Sequence, residues 1–273
     1  INMRGRFPIG GLKDVRPALE RAFSQGVVLE PRELLDIAFM LKAVVEVESY
    51  LGQETDLFPL LAIRVRRLNP LEPLRKNISR CIGEDCSILD SASSRLAFLR
   101  RAIDDQRSHI KRVLESILSR RKEVVQENLI TLRNGRYVIP MRHDFRKVSE
   151  GIVHDKSQTG LTFFVEPKET IELNNELANL LKDEEAEIYR ILRQLTEGVK
   201  SEAETIKSNC RDLAELDFIY AKARFSIEFD CCEPVINNDH FTRLVRAKHP
   251  LLLLKKRKEE IVPLTLSIGK DYT

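Results

Sequence analysis

The stretch DSASSRLAFLRRAIDDQRSHIKRVLESILSRRKEVVQEN, residues 90–128, decides the fold. It opens on the cap-rich Asp90-Ser91-Ala92-Ser93 and then runs to about Asn128 without Gly or Pro, which predicts one long helix. Leu96, Ile103, Ile110, Ile117 and Val124 recur every seven residues, with Leu99 and Val113 in the offset positions, as in the seam of a coiled coil. Gln106 and Arg120 fall on the same seam and make it imperfect. At about 1.5 Å per residue such a helix is longer than a compact domain of this size needs, so it is expected to project.

A second long helix is predicted after Glu166-Pro167, from about Glu169 past Ile206, with Leu177, Leu181, Ile188, Ile191, Leu195, Val199 and Ile206 along one side. Two seams of similar length separated by one segment predict an antiparallel helix pair with something at its tip. The intervening segment reads as strands. Arg136–Arg142 alternates and is β-rich, a second strand begins at Gly151, and Leu161–Glu166 forms a third, with turns at Asn134-Gly135 and Ser157-Gln158-Thr159-Gly160.

Upstream, Pro31 sits in the first turn of a helix that runs to Gly52, and Pro59, Pro70, Pro73 and Gly83 delimit two short helices near 57–67 and 71–81. Downstream, Ala214–Ala223 is a close-packing helix, and Phe241–Thr273 holds apolar runs around Lys255-Lys256-Arg257-Lys258. The expected fold class is mainly α: a helical core bundle at 1–90, a first long helix at 91–128, a small β-element at 129–167, a second long helix returning to the core at 168–235, and the start of a further domain at 236–273.

Composition agrees with this reading. Among 273 residues, 11 Gly, 11 Pro, 6% aromatics and no Trp disfavour a β-sandwich or barrel, and 42% hydrophobic residues suffice for a core. The 45 Lys+Arg and 42 Asp+Glu leave a formal charge of only +3, so the chain is in neither a strongly basic nor a strongly acidic class. Five cysteines without a CxxC pair or a zinc-type His spacing support neither a disulfide framework nor a metal site. The longest apolar runs fall far short of a membrane span, which predicts a soluble protein with no membrane partner. Because the chain opens on Ile1 and stops soon after Gly269-Lys270, it is expected to be part of a longer polypeptide.

Charge is unevenly placed. The β-element carries Arg133, Arg136, Arg142, His143, Arg146, Lys147 and Lys156 against Asp144, Glu150 and Asp155, whereas the second long helix is acidic. One reading is a nucleic-acid backbone site, since Lys and Arg hold phosphates without reading bases. The other is that these side chains are the solvated faces of short strands. His154-Asp155 with Ser157 resembles part of a catalytic triad, but adjacent strand residues face opposite ways, so the group is read as turn chemistry. His240 and His249-Pro250 are isolated, and no G-x-x-x-x-G-K-[ST] occurs.

Several segments together resemble the type II branch of the MutS family. They are Thr131–Pro140, Gly151–Asp155, Phe164–Pro167 and Glu172–Leu177, with Gly10–Pro17 and Ile88–Ser93 upstream and Ala214–Phe218 and Ala247–Leu252 downstream. The resemblance implies a core bundle, two lever helices, a DNA-embracing clamp at their tip and an ATPase beginning near His249-Pro250. Its P-loop would follow Thr273, so no cofactor is expected within these residues, and ATP and Mg are expected only for a full-length protein. The resemblance also implies a homodimeric clamp on duplex, branched or recombining DNA. It implies suppression of homologous recombination related to mismatch repair, a C-terminal nuclease-type domain elsewhere, and a bacterial cytoplasm or plastid as compartment. Stalled ribosomes, met through rRNA phosphates, are the alternative partner, and a protein scaffold built on the helical seam is a third reading.

Overall fold

The computed structural model describes residues 7–51, 58–120, 129–142, 151–158, 160–255 and 260–269. It is mainly helical, with small antiparallel sheets. The chain divides into two compact units, one of residues 12–42 and 70–207, the other of residues 1–11, 43–69 and 208–273.

In the first of these, α1 (Arg16–Ala22) and α2 (Pro31–Leu51) start with prolines in or at the first turn, where a missing N–H costs nothing. Leu19, Leu29, Leu34, Ile37 and Leu41 are buried here. The expected short helices appear as α3 (Pro59–Val65), which belongs to the other unit, and α4 (Glu72–Cys81). The long helix is α5 (Ser94–Arg120), about 40 Å at helical rise, preceded by a 3-10 turn at Asp90–Ala92. Ser93 caps it, its Oγ accepting the Leu96 N–H at 3.0 Å. Val124 and the rest of 121–128 lie outside the described residues.

The partner of α5 is α6 (Lys168–Ser201). Ser93 bonds Glu187, Arg100 bonds Glu184, and Gln106 bonds the Leu173 carbonyl and Glu176, so the two helices run antiparallel. Gln106, one of the two polar residues in the seam, is therefore a cross-link between the helices. The buried stripe follows Leu96, Leu99, Ile103 and Ile110 as the heptads predict, but then moves to Leu114, while Val113 is only partly buried. The reason is a second neighbour: β-strands pack on this part of α5 and widen its apolar face. The predicted unbroken helix past Ile206 instead breaks at Glu202, outside the helical region at φ −106° and ψ 11°, and resumes as α7 (Ala203–Phe229).

Four strands, β1 (Thr131–Arg133), β2 (Arg136–Arg142), β3 (Gly151–Lys156) and β4 (Thr162–Pro167), form an antiparallel sheet in the order β1-β2-β4-β3. Asn134 and Gly135, at φ +50° and +75°, make the two-residue turn that the Asn-Gly pair predicts. Ile139, Met141 and Val165 bury one side of the sheet against Ile110, Leu114 and Ile117 of α5 and Leu177 of α6. Gly151 has a packing reason: a Cβ there would lie 2.2 Å from the Glu166 carbonyl oxygen.

The other unit holds Phe7 stacked on Tyr220 and edge-on to Tyr50, with the Phe7 N–H donated to the Tyr220 hydroxyl at 3.2 Å. Asn209, fully buried on α7, accepts the Asn69 N–H at 2.9 Å and donates to the Asn69 carbonyl at 2.6 Å. On the same face Asp212 lies 3.7 Å from Arg67, and Glu215 meets Arg64. β5 (Thr242–Ala247), α8 (Pro250–Lys255) and β6 (Leu264–Ile268) follow, the two strands paired with each other and largely exposed. His249 accepts the Leu251 N–H at 3.2 Å, a local role of the kind expected. Among the described residues no helix is long and apolar enough to cross a membrane.

Asn209→Ala removes both hydrogen bonds that the buried Asn209 amide makes to the Asn69 peptide and is expected to cost about 1–2 kcal/mol, read as a fall in Tm, whereas Lys207→Ala on the same helix should change it little.

Candidate nucleic-acid interface

The sheet sorts its cations into two groups. Antiparallel pairing sets Arg142 opposite Thr162 and Lys156 opposite Phe163, so these two basic residues share one end of the sheet, on the strands either side of β4. Two inter-strand spacings separate them by about 10 Å. Both are exposed, and neither has a carboxylate partner among the described residues. The segment joining β2 to β3 carries His143, Arg146 and Lys147, which lie outside the described residues.

Arg133 and Arg136 sit at the other end and are already committed. The Arg133 guanidinium lies 4.2 Å over the Phe164 ring, pairs with Asp155 at 3.3 Å and donates to the Leu132 carbonyl. Arg136 donates through Nη1 to Glu166 at 2.8 Å and through Nη2 to Asn175 at 2.6 Å. Glu166 is completely buried on β4, and it gathers three elements besides its own strand. His154 Nε2 lies 2.5 Å from Oε2, and Asn174 Nδ2 donates to Oε1 at 2.8 Å. Asn174 also accepts the Tyr137 N–H at 3.0 Å and donates to the Tyr137 carbonyl, which stitches α6 to β2.

His154 reaches this knot because of a β-bulge. The β3–β4 register passes from Val153 opposite Val165 to Asp155 opposite Phe164, leaving His154 as the extra residue whose side chain the bulge re-aims. The turn-chemistry reading therefore holds for Ser157, whose Oγ accepts the Thr162 N–H at 3.1 Å, but not for His154, which belongs to the buried cluster. Two residues that charge counting does not single out, Glu166 and Asn174, organise the site. A signal for the second exists in the sequence: Asn174-Asn175 inside a long helix is a poor helix-forming pair unless its amides are used elsewhere.

A second ionic cluster braces the helix pair. Glu187, buried on α6, accepts the Ser93 hydroxyl at 2.7 Å and both Nε and Nη2 of Arg190. The Arg190 guanidinium, chiefly, holds the Glu187 carboxyl well below its usual range, at about 2. Arg100 spans Glu184 at 2.9 Å, Asp90 at 2.6 Å and the Ile88 carbonyl, and the Glu184 hydrogen bond is the main reason its guanidinium is held still more firmly protonated.

These features define a mainly helical protein in which an antiparallel helix pair carries a small sheet, keyed in place by a buried carboxylate and presenting cations at one end. No family model matches the chain. It is 38% identical to the Endonuclease MutS2 of Geobacillus sp. (strain WCH70) over 278 residues, an alignment covering 100% of this chain and 35% of that protein. The Endonuclease MutS2 of Halothermothrix orenii is 37% identical over 98% of the chain and 34% of its own length, and that of Bacillus cereus (strain Q1) is 38% identical over 100% and 35%. The chain belongs to the MutS family, in its type II branch. It spans about a third of the length of the curated relatives it matches.

Two outcomes test the electrostatics. Glu166→Ala leaves Arg136 and His154 facing a buried gap and is expected to cost about 3 kcal/mol or more in urea unfolding, with amide exchange rising first in β2–β4. For Glu187 the folded carboxyl titrates below its unfolded value of 4.5, so its contribution is complete above that value and is lost as pH falls towards about 2. Glu187→Gln should flatten the loss of stability with acid over that window, measured by denaturant titration at a series of pH values.

Proposed function

We propose that this region grips a nucleic-acid backbone for a MutS-type protein, with the α5–α6 pair as lever and the four-stranded sheet as clamp. The observation that carries the reading is the sorting of cations: Arg142 and Lys156 stand exposed and uncommitted at one end of the sheet, next to the segment that bears His143, Arg146 and Lys147. Charges so placed suit phosphates and give no base readout. Family membership supports DNA as the partner, in duplex, branched or recombining form. In this reading Arg133 and Arg136 shape the clamp from within.

The relatives' printed name gives them an endonuclease activity, and this proposal assigns that chemistry to parts of the polypeptide that the chain does not cover. ATP with Mg, held by an ATPase beyond these residues, would move the levers of a homodimer and close its clamps on DNA, the mechanical basis for suppressing recombination.

The test is fluorescence anisotropy of the chain against a plain duplex, a four-way junction and structured RNA across a salt series. Arg142→Ala with Lys156→Ala should weaken DNA binding and reduce the slope of log K against log salt by about 2. Unchanged affinity and slope would overturn the reading. Preference for RNA over both DNAs would move the partner to the ribosome.

A further inference from the structure

The C-terminal end of α7 holds a cluster that has no part in the clamp reading. Beyond Phe229 the chain turns through Asp230, at φ +54°, and folds back so that the Cys231 N–H is donated to the Ser226 carbonyl at 2.9 Å, with the Ser226 hydroxyl 3.5 Å from the Cys231 carbonyl. Cys231 and Cys232 are both exposed free thiols. Together with Ala221, Lys222, Phe225, Ser226, Glu233 and Pro234 they line a mostly apolar cavity of about 590 Å³. Side chains of neighbouring residues in extended chain ordinarily alternate, so two adjacent cysteines on one cavity are a placement that the turn at Asp230 creates.

We infer that Cys231 and Cys232 form a reversible dithiol–disulfide site, oxidised by a small-molecule disulfide of the glutathione type. One thiol, as thiolate, attacks a sulfur of the small disulfide and expels one small thiol. The neighbouring Cys thiolate then attacks the protein sulfur of the mixed disulfide, expels the second small thiol and closes the ring. The balance is two protein thiols and one small disulfide giving one protein disulfide and two small thiols, with no other oxidant.

Two features make the site reversible rather than structural. Adjacent Cα atoms across a trans peptide are about 3.8 Å apart, shorter than the range of about 4.4–6.8 Å that relaxed disulfides prefer, so the ring is strained and easily reduced. Closing it must reorient the Cys231–Cys232 peptide, which carries the Cys231 carbonyl away from the Ser226 hydroxyl and strains the adjoining turn that the Cys231 N–H closes on the Ser226 carbonyl, loosening the path from α7 into 233–247. The sulfur state is thereby coupled to the exit of α7.

The experiment is titration of the chain in glutathione redox buffers, with intact mass, mapping of the tryptic peptide Phe225–Arg243, and amide exchange over 226–232. Expected is loss of two hydrogens confined to that peptide, full recovery on reduction, and faster exchange of the Cys231 amide in the oxidised form. Cys231→Ser and Cys232→Ser should each stop at a stable mixed disulfide on the remaining thiol. Independent mixed disulfides on both thiols of the unaltered chain, or a bond to Cys86, Cys210 or a second chain, would overturn the inference. These readouts involve no nucleic acid and stand or fall separately from the clamp reading.

Discussion

The sheet depends on a single buried carboxylate. Glu166 has no exposed surface, and a lone charge there would be prohibitively unfavourable, so its position is tolerated only because Arg136, His154 and Asn174 meet it from β2, β3 and α6. An apolar residue of similar volume would fill the space as well but would specify nothing. The carboxylate demands three donors in fixed directions, and satisfying them fixes the strand order, the bulge at His154 and the angle at which α6 leaves Pro167. In this protein the ionic cluster acts as a key for geometry more than as a source of stability.

The same logic recurs along the helix pair. Apolar burial of Ile103, Ile110 and Leu114 on α5 with Leu177 on α6, flanked by the partly buried Leu173, Leu180 and Leu181, supplies the drive to associate, but apolar stripes alone tolerate sliding. Ser93 with Glu187, Arg100 with Glu184, and Gln106 with Leu173 and Glu176 are polar rungs along the pair, and each suits only one register. Ser93 does two things at once, capping α5 through its Oγ as acceptor and donating its hydroxyl to the opposite helix.

How much of this was legible in the sequence follows from what kind of information each feature needs. Periodicity is local, so the long helices, the Asn134-Gly135 turn and three strands could be read directly; β1, three residues long, could not. The shift of the seam from Val113 to Leu114 was hidden because it depends on a neighbour that arrives from elsewhere in the chain. The break at Glu202 has no local signal in Ser201-Glu202-Ala203, so the sequence alone extends the helix through it. The site was half legible. Its cations stood out by type, but whether a cation faces water or a carboxylate is set by pairs such as Arg136 and Glu166, thirty residues apart.

That last point bears on how a basic patch should be weighed. A count of Lys and Arg treats every positive side chain as available to phosphate, yet a guanidinium already bonded to a buried carboxylate would have to leave an unpaired charge behind in order to reach one. Arg136 cannot make that exchange cheaply, and Arg133, seated on Phe164 and paired with Asp155, would also give up two contacts. Among the described residues, Arg142 and Lys156 have no carboxylate to give up. On the proposed clamp reading, anion binding is therefore expected at the end where β4 begins, although the sequence spreads its cations along the whole element, and the committed arginines would serve that end by holding the strands that present it.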